Sequence, residues 1–250
     1  MILFVGCSYT WGSGLQYEHL SKEGWTTDEL NKVLPYNYHL ELLDYEADEY
    51  RKQHNWPNLV SKQLNKSFVI PTYSNGGSNL STILPALQCV DRISRANSIT
   101  TIVVQFTDWL RDCGDNELVK YPGNKLDITT QDYIDSQISL QIKQISDLCN
   151  GIFTRIDANH QDISKSNYPN WVGLSWRDDI GEYLKKHYPK NFIPIHYKGK
   201  EYTSFGKIDN GLRLCDTIEG LDDQHLNSNG CKVIADSIIK KLKKYETKSN

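Results

Sequence analysis

The chain predicts an α/β fold built on a parallel sheet covered on both faces. Short, continuous apolar runs recur along it, of the kind a strand buried on both faces requires. Segments with apolar residues three and four apart lie between those runs. Such alternation implies right-handed crossovers joining parallel strands. A length of 250 residues suits one domain over residues 1–250, with a core large enough to need no disulfide or metal staple.

Ile2-Leu3-Phe4-Val5, ended by Gly6, reads as the first buried strand. Phe68-Val69-Ile70, Thr101-Ile102-Val103-Val104, Ile152-Phe153-Thr154-Arg155-Ile156 and Phe192-Ile193-Pro194-Ile195 read as four more, the last weakened or placed at an edge by Pro194. Trp56-Pro57 opens a helix with Leu59, Val60 and Leu64 on one face and Pro57 in the tolerated first turn. Ile138, Ile142, Ile145 and Cys149 mark a second helix. Ile234, Ile238 and Leu242 mark a third over about residues 230–245. Two stretches break the alternation: residues 16–55, with Tyr17, Trp25, Tyr36, Tyr38, Tyr45 and Tyr50, and residues 157–190, with Tyr168, Trp171, Trp176 and Tyr188. Both read as insertions or long loops on the rim, serving either a binding role or an oligomer contact.

Composition narrows the function classes. A formal net charge of −3 gives no strong pull toward nucleic acid or an anionic membrane. The basic run Lys240-Lys241-Leu242-Lys243-Lys244 sits where it complements a helix C-terminus. Six scattered cysteines show neither C-x-x-C pairs nor zinc spacing, so a reducing compartment is expected and no metal or cofactor is implied. Met1 leads straight into the first strand, no apolar run spans a bilayer, and a cytoplasmic site of synthesis is expected.

Three segments can carry chemistry. Gly6-Cys7-Ser8-Tyr9-Thr10 follows the first strand, at the carboxyl end where open α/β sheets place their sites. There Ser8 is either a nucleophile near free backbone N–H groups or simply a helix N-cap, and taken alone the cap is the better reading. Cys7 is a rival nucleophile, but adjacent side chains on a strand end diverge. Asp222-Asp223-Gln224-His225 precedes the last helix. A carboxylate at His225 Nδ1 would free Nε2 to take a serine proton, and Asp222, three residues away, is preferred over Asp223. Ser74-Asn75-Gly76-Gly77-Ser78-Asn79 is a turn whose glycines can offer N–H donors to a ligand.

In this order the segments resemble the SGNH (GDSL-type) hydrolase family. Gly6-Cys7-Ser8-Tyr9-Thr10-Trp11-Gly12 is similar to its first block, in a Gly-Cys-Ser variant found among phage-encoded proteins, which would allow a virion location. Gly76-Gly77-Ser78 resembles the second block, with Gly76 the better oxyanion donor and Gly77 the fallback. Asp222-x-x-His225 with Asn227 and Gly230 resembles the fifth. The third block departs: Thr107, in Gln105-Phe106-Thr107-Asp108, stands where the family has an asparagine, and its hydroxyl or Asn79 would have to serve. The resemblance implies a three-layer α/β/α sandwich with a five-stranded parallel sheet, flavodoxin-like. It implies a Ser8-His225-Asp222 triad, an oxyanion hole drawn from Ser8, Gly76, Gly77, Asn79 and Thr107, and removal of a small O-acyl group, such as acetyl, from a carbohydrate. Trp11, Asp108 and Arg111 are the candidates for substrate contact. An acyltransferase acting on sugars and a non-catalytic carbohydrate-binding or structural module are the alternatives.

Overall fold

The computed structural model describes residues 1–33, 45–71, 77–92, 98–113, 128–159, 171–208 and 210–247. It is a mixed α/β structure, mostly helical, around a four-stranded parallel sheet. Ile2–Val5 forms β1, with all four side chains fully buried. β2 (Phe68–Val69) pairs with one edge of β1, β3 (Thr101–Phe106) with the other, and β4 (Trp171–Ser175) with β3, giving the order β2-β1-β3-β4. In register, Ile2 faces Phe68 on one side and Thr101 on the other, so β1 and β3 end side by side. β2 is only two residues long and half-exposed, an edge strand rather than the buried one expected.

Strand alternation sorts the core. Leu3, Val5, Ile102, Val104 and Phe106 point to the face covered by α6 (Leu84–Arg92), α7 (Ile128–Asn159) and α8 (Asp178–His187). Ile2, Phe4, Val103 and Val172 point to the face covered by α5 (Trp56–Leu64) and α9 (Ser228–Glu246). Asn55 caps α5 through its side chain and Pro57 occupies its first turn. Asn227 caps α9 in the same way.

The run Ile152–Ile156 is helical, not a strand. Its apolar residues, Ile152, Phe153 and Ile156, continue the stripe of Ile138, Ile142, Ile145 and Cys149 at three- and four-residue spacing, and all seven pack in one core. The fourth strand is instead Trp171–Ser175, inside the stretch read as an insertion, followed by α8. That stretch is therefore part of the central architecture; Tyr168 lies outside the described residues. The expected fifth strand shrinks to one parallel bridge, Gly173 with Phe192. Pro194 has no ladder donor, and the chain turns into a two-stranded hairpin, β5 (Ile195–Tyr197) and β6 (Lys200–Tyr202), through Lys198 and Gly199, both at positive φ.

Residues 16–55 are helical where described: α2 (Leu15–Lys22) runs on from α1 (Ser8–Trp11), and α3 (Thr27–Val33) and α4 (Tyr45–His54) follow. Tyr17, Leu20, Leu30 and Ala47 bury themselves against Leu214 and Leu221, a small core of their own beside the segment that leads to His225. Tyr36 and Tyr38 lie outside the described residues. Among the described residues no helix is long and apolar enough to cross a membrane.

Candidate active site

The end of β1 is locked before it reaches Ser8. A Cβ at Gly6 would lie 2.0 Å from Thr10 Oγ1 and 2.8 Å from Gln105 Oε1, so only glycine fits there. Gln105 is fully buried, and its Oε1 accepts from the Cys7 N–H at 3.2 Å, the Cys7 thiol at 3.1 Å and the Thr10 hydroxyl at 3.2 Å. Cys7 thus points inward as the residue preceding α1, and the rival nucleophile is removed. Ser8 is the first residue of α1, not its cap, and its hydroxyl is free to turn elsewhere. α1 ends after one turn at Gly12, whose φ of 87° favours glycine.

The hydroxyl turns to His225: Ser8 Oγ lies 2.8 Å from Nε2. The carboxylate at the other ring nitrogen belongs to Asp223, with Oδ1 2.6 Å from Nδ1 and also accepting the His225 N–H at 2.8 Å. Asp222 does not take this place. The Leu214 N–H donates to the His225 carbonyl and the Cys215 N–H to the Asp223 carbonyl, and Asp223 Oδ1 accepts the N–H two residues on, an Asx turn that carries this carboxylate to Nδ1. Leu221 and Asp223 are buried, whereas Asp222 and Gln224 are exposed. With a carboxylate at Nδ1, that nitrogen carries the proton and Nε2 accepts from Ser8.

The surroundings hold the imidazole. Gly14 abuts it: a Cβ there would sit 2.6 Å from His225 Cβ. The Tyr9 ring lies 5.2 Å from the His225 ring, stacks on Trp176 at 5.8 Å and meets Phe205 edge-on at 5.3 Å. Burial pushes the Tyr9 hydroxyl above its ordinary pKa, so it stays neutral. From α2, Glu18 accepts the Ser228 N–H at 2.6 Å and hydroxyl at 2.7 Å, tying that helix to the start of α9 just beyond His225. Burial raises the Glu18 pKa, but bonds from Lys22 and Ser228 prevail and hold it below the usual carboxylate range.

The residues expected to complete an oxyanion hole behave differently. Asn79 is fully buried and closed on its neighbours: Nδ2 donates to the Gln141 Oε1 at 2.7 Å and the Thr107 carbonyl at 3.3 Å, and Oδ1 accepts the Thr107 N–H at 2.9 Å. The Thr107 hydroxyl donates to the Gly77 carbonyl at 3.1 Å. Neither side chain presents a donor to a ligand, contrary to expectation. Gly76 lies outside the described residues. The N–H groups of Ser8 and Gly77 have no acceptor among the described residues.

Of the substrate candidates, Asp108 caps the 3₁₀ turn Trp109–Asp112 by accepting the Leu110 N–H, and so has a structural role. Trp11 stacks under the Arg51 guanidinium at 3.8 Å, facing α4. Arg111 is exposed and donates to the Gly77 carbonyl at 3.0 Å. Gln105, Asp223, Tyr9 and Trp176 were given no leading role by the sequence; a lone buried amide inside an apolar strand was the one visible signal among them.

Among the described residues no group of three or more His, Cys, Asp or Glu could hold a metal ion. A cleft of about 860 Å³, lined by Lys185, Phe192, His196, Lys240, Lys241 and Lys244 among others, shares no residue with the Ser8 site. No protein-family model matches the chain, and neither a curated protein nor a solved structure matches it.

Proposed function

We propose that the chain is a serine esterase of the SGNH type, removing a small O-acyl group from a carbohydrate. The observation that carries the reading is the unbroken line from Asp223 Oδ1 to His225 Nδ1 at 2.6 Å and from His225 Nε2 to Ser8 Oγ at 2.8 Å. In this reading His225 takes the Ser8 proton as Oγ attacks the ester carbonyl. Asp223 stays ionised, fixes the tautomer and stabilises the imidazolium. The Ser8 N–H and the glycine turn at Gly77 hold the oxyanion. His225 then protonates the departing alcohol, and water cleaves the acyl-enzyme by the same steps in reverse. Tyr9 and Trp176, stacked beside His225, offer a flat apolar face suited to a sugar ring. The single Gly173–Phe192 bridge stands where the fifth strand of a three-layer sandwich would lie.

A non-catalytic module is the second reading, and one observation favours it: Asn79 and Thr107 are closed on each other, which leaves only backbone donors for an oxyanion. The absence of one such donor costs about 2.7–4 kcal/mol of transition-state stabilisation. An acyltransferase would share the first half of the mechanism and differ only in its acceptor. The test is labelling by a fluorophosphonate probe and turnover of p-nitrophenyl acetate, with a Ser8→Ala variant beside the native chain. Labelling and turnover that vanish in the variant are expected; their absence from the native chain overturns the esterase.

A further inference from the structure

Three guanidiniums stand around the candidate site, and their partners differ in kind. Arg177 is neutralised: Nη2 lies 2.8 Å from Asp179, and Nη1 lies 3.6 Å from Asp108. Arg213 donates to the Gln224 side-chain carbonyl at 2.9 Å and the Gly206 backbone carbonyl at 2.5 Å. Arg111 donates to the Gly77 carbonyl at 3.0 Å. Among the described residues neither of these two has a carboxylate partner.

The nearby acids are engaged elsewhere. Asp223 holds His225. Asp216 accepts the N–H groups of Gly211, Leu212 and Arg213. Asp112 accepts from Ser78 and from the N–H groups of Leu80 and Ser81. Both of these guanidiniums border the chemistry. Arg213 pairs with Leu226 across a bridge, and its side chain spans from Gln224, next to His225, to Gly206, which is bonded to Trp176 in the aromatic wall. Arg111, just after β3, is fixed on the Gly77 carbonyl, and β3 lies beside the strand that delivers Ser8. Both act electrostatically on the Tyr9 hydroxyl, whose ring abuts His225.

A guanidinium held by neutral carbonyls keeps its full charge, and its planar fork matches a carboxylate, phosphate or sulfate. With a chain of net charge −3, attraction for an anion at this rim is local rather than global. We propose that the ester taken at Ser8 carries an anionic group, read by Arg213, bonded to Gln224 next to His225, and by Arg111, bonded to the Gly77 carbonyl; this rests on the esterase reading of the same site.

The test compares kcat/KM at low salt for matched esters. Mono-p-nitrophenyl succinate against p-nitrophenyl butyrate places the charge on the acyl half; p-carboxyphenyl acetate against phenyl acetate places it on the alcohol half. One anionic member should exceed its neutral counterpart by about tenfold or more, the scale of one charge-assisted contact. That ratio should fall toward one in Arg213→Gln and Arg111→Gln and in the native chain as salt rises. Ser8-dependent turnover with no anionic preference in either pair overturns this inference and leaves the esterase standing. A preference that survives in both variants overturns it as well. No Ser8-dependent turnover of any ester, with no phosphonate labelling, overturns the esterase and this inference together.

Discussion

Two clusters of buried polar groups sit at the same edge of the sheet, one after β1 and one after β3, and they are wired differently. The bonds through Asp223, His225 and Ser8 form a line with open ends: among the described residues Asp223 Oδ2 is buried without a partner, and Ser8 Oγ stands at the far end. The bonds through Asn79, Thr107 and Gln141 form a closed set: Asn79 and Thr107 satisfy each other, and Gln141 passes its own donor to the Trp109 carbonyl. A closed set of amides holds two loops together and has no proton to move. An open line containing an imidazole can move one. The proposed mechanism asks the open line to carry a proton from Ser8 to His225 beside the Asp223 carboxylate.

The largest expected effect breaks the line. Asp223→Asn should lower Ser8-dependent turnover of p-nitrophenyl acetate by about 10⁴, as loss of an orienting carboxylate does. Asp222→Asn, at an exposed side chain, should leave it within about twofold, the scale of a surface change. If the two variants exchange behaviour, Asp222 is the orienter. The next effect opens the closed set. Asn79→Ala should cost about 1–3 kcal/mol of stability by stranding the Thr107 N–H and Gln141 Oε1. At roughly 2–4 °C per kcal/mol for a chain of this size, melting curves resolve it. Its rate loss should stay well short of the roughly 10²–10³ that follows removal of an oxyanion donor; a rate loss of that size with unchanged Tm would make Asn79 part of the site after all.

The smallest effect lies on the tether outside both clusters. Glu18→Gln should destabilise the chain by about 1 kcal/mol at pH 7, read by denaturant unfolding. The folded-state pKa of Glu18 is lowered. Its contribution is therefore present above the unfolded pKa and is lost as pH falls through the folded one. The gap between native and variant should close in acid, and a gap that stays constant with pH would remove the charge from the explanation.

Much of this was legible in the chain. The α/β class with a parallel sheet follows from apolar runs alternating with helical stripes, and the pairing of Ser8 with His225 from the order of the segments that carry them, since Ser8 alone reads as a cap. The three-residue spacing favours Asp222, but the Asp223 side chain turns onto the His225 N–H two residues on, and that local bond sets its carboxylate at Nδ1. β4 is hidden by its own composition, since Gly173 and Ser175 interrupt the apolar run of Trp171, Val172 and Leu174, whereas Ile152–Ile156 looks more like a strand until the helical stripe is counted through it. The closed set was out of reach. Asn79 finds Gln141 62 residues away and Thr107 28 away, and nothing local in any of them names the others.

The separation of Ser8 and His225 has a consequence for how the molecule assembles. The two are 217 residues apart, among the most distant contacts the chain makes. β1 can pair with β3 well before α9 docks on the sheet, but the serine meets its base only when the last helix settles and carries its leading loop over Gly14. Contacts of such span close late, because their loop entropy must be offset by structure already formed. A collapsed or partly folded chain would thus have its sheet and lack the bond between Ser8 and His225. If the esterase proposal holds, phosphonate labelling of Ser8 would time the completion of folding, whereas circular dichroism would time its beginning.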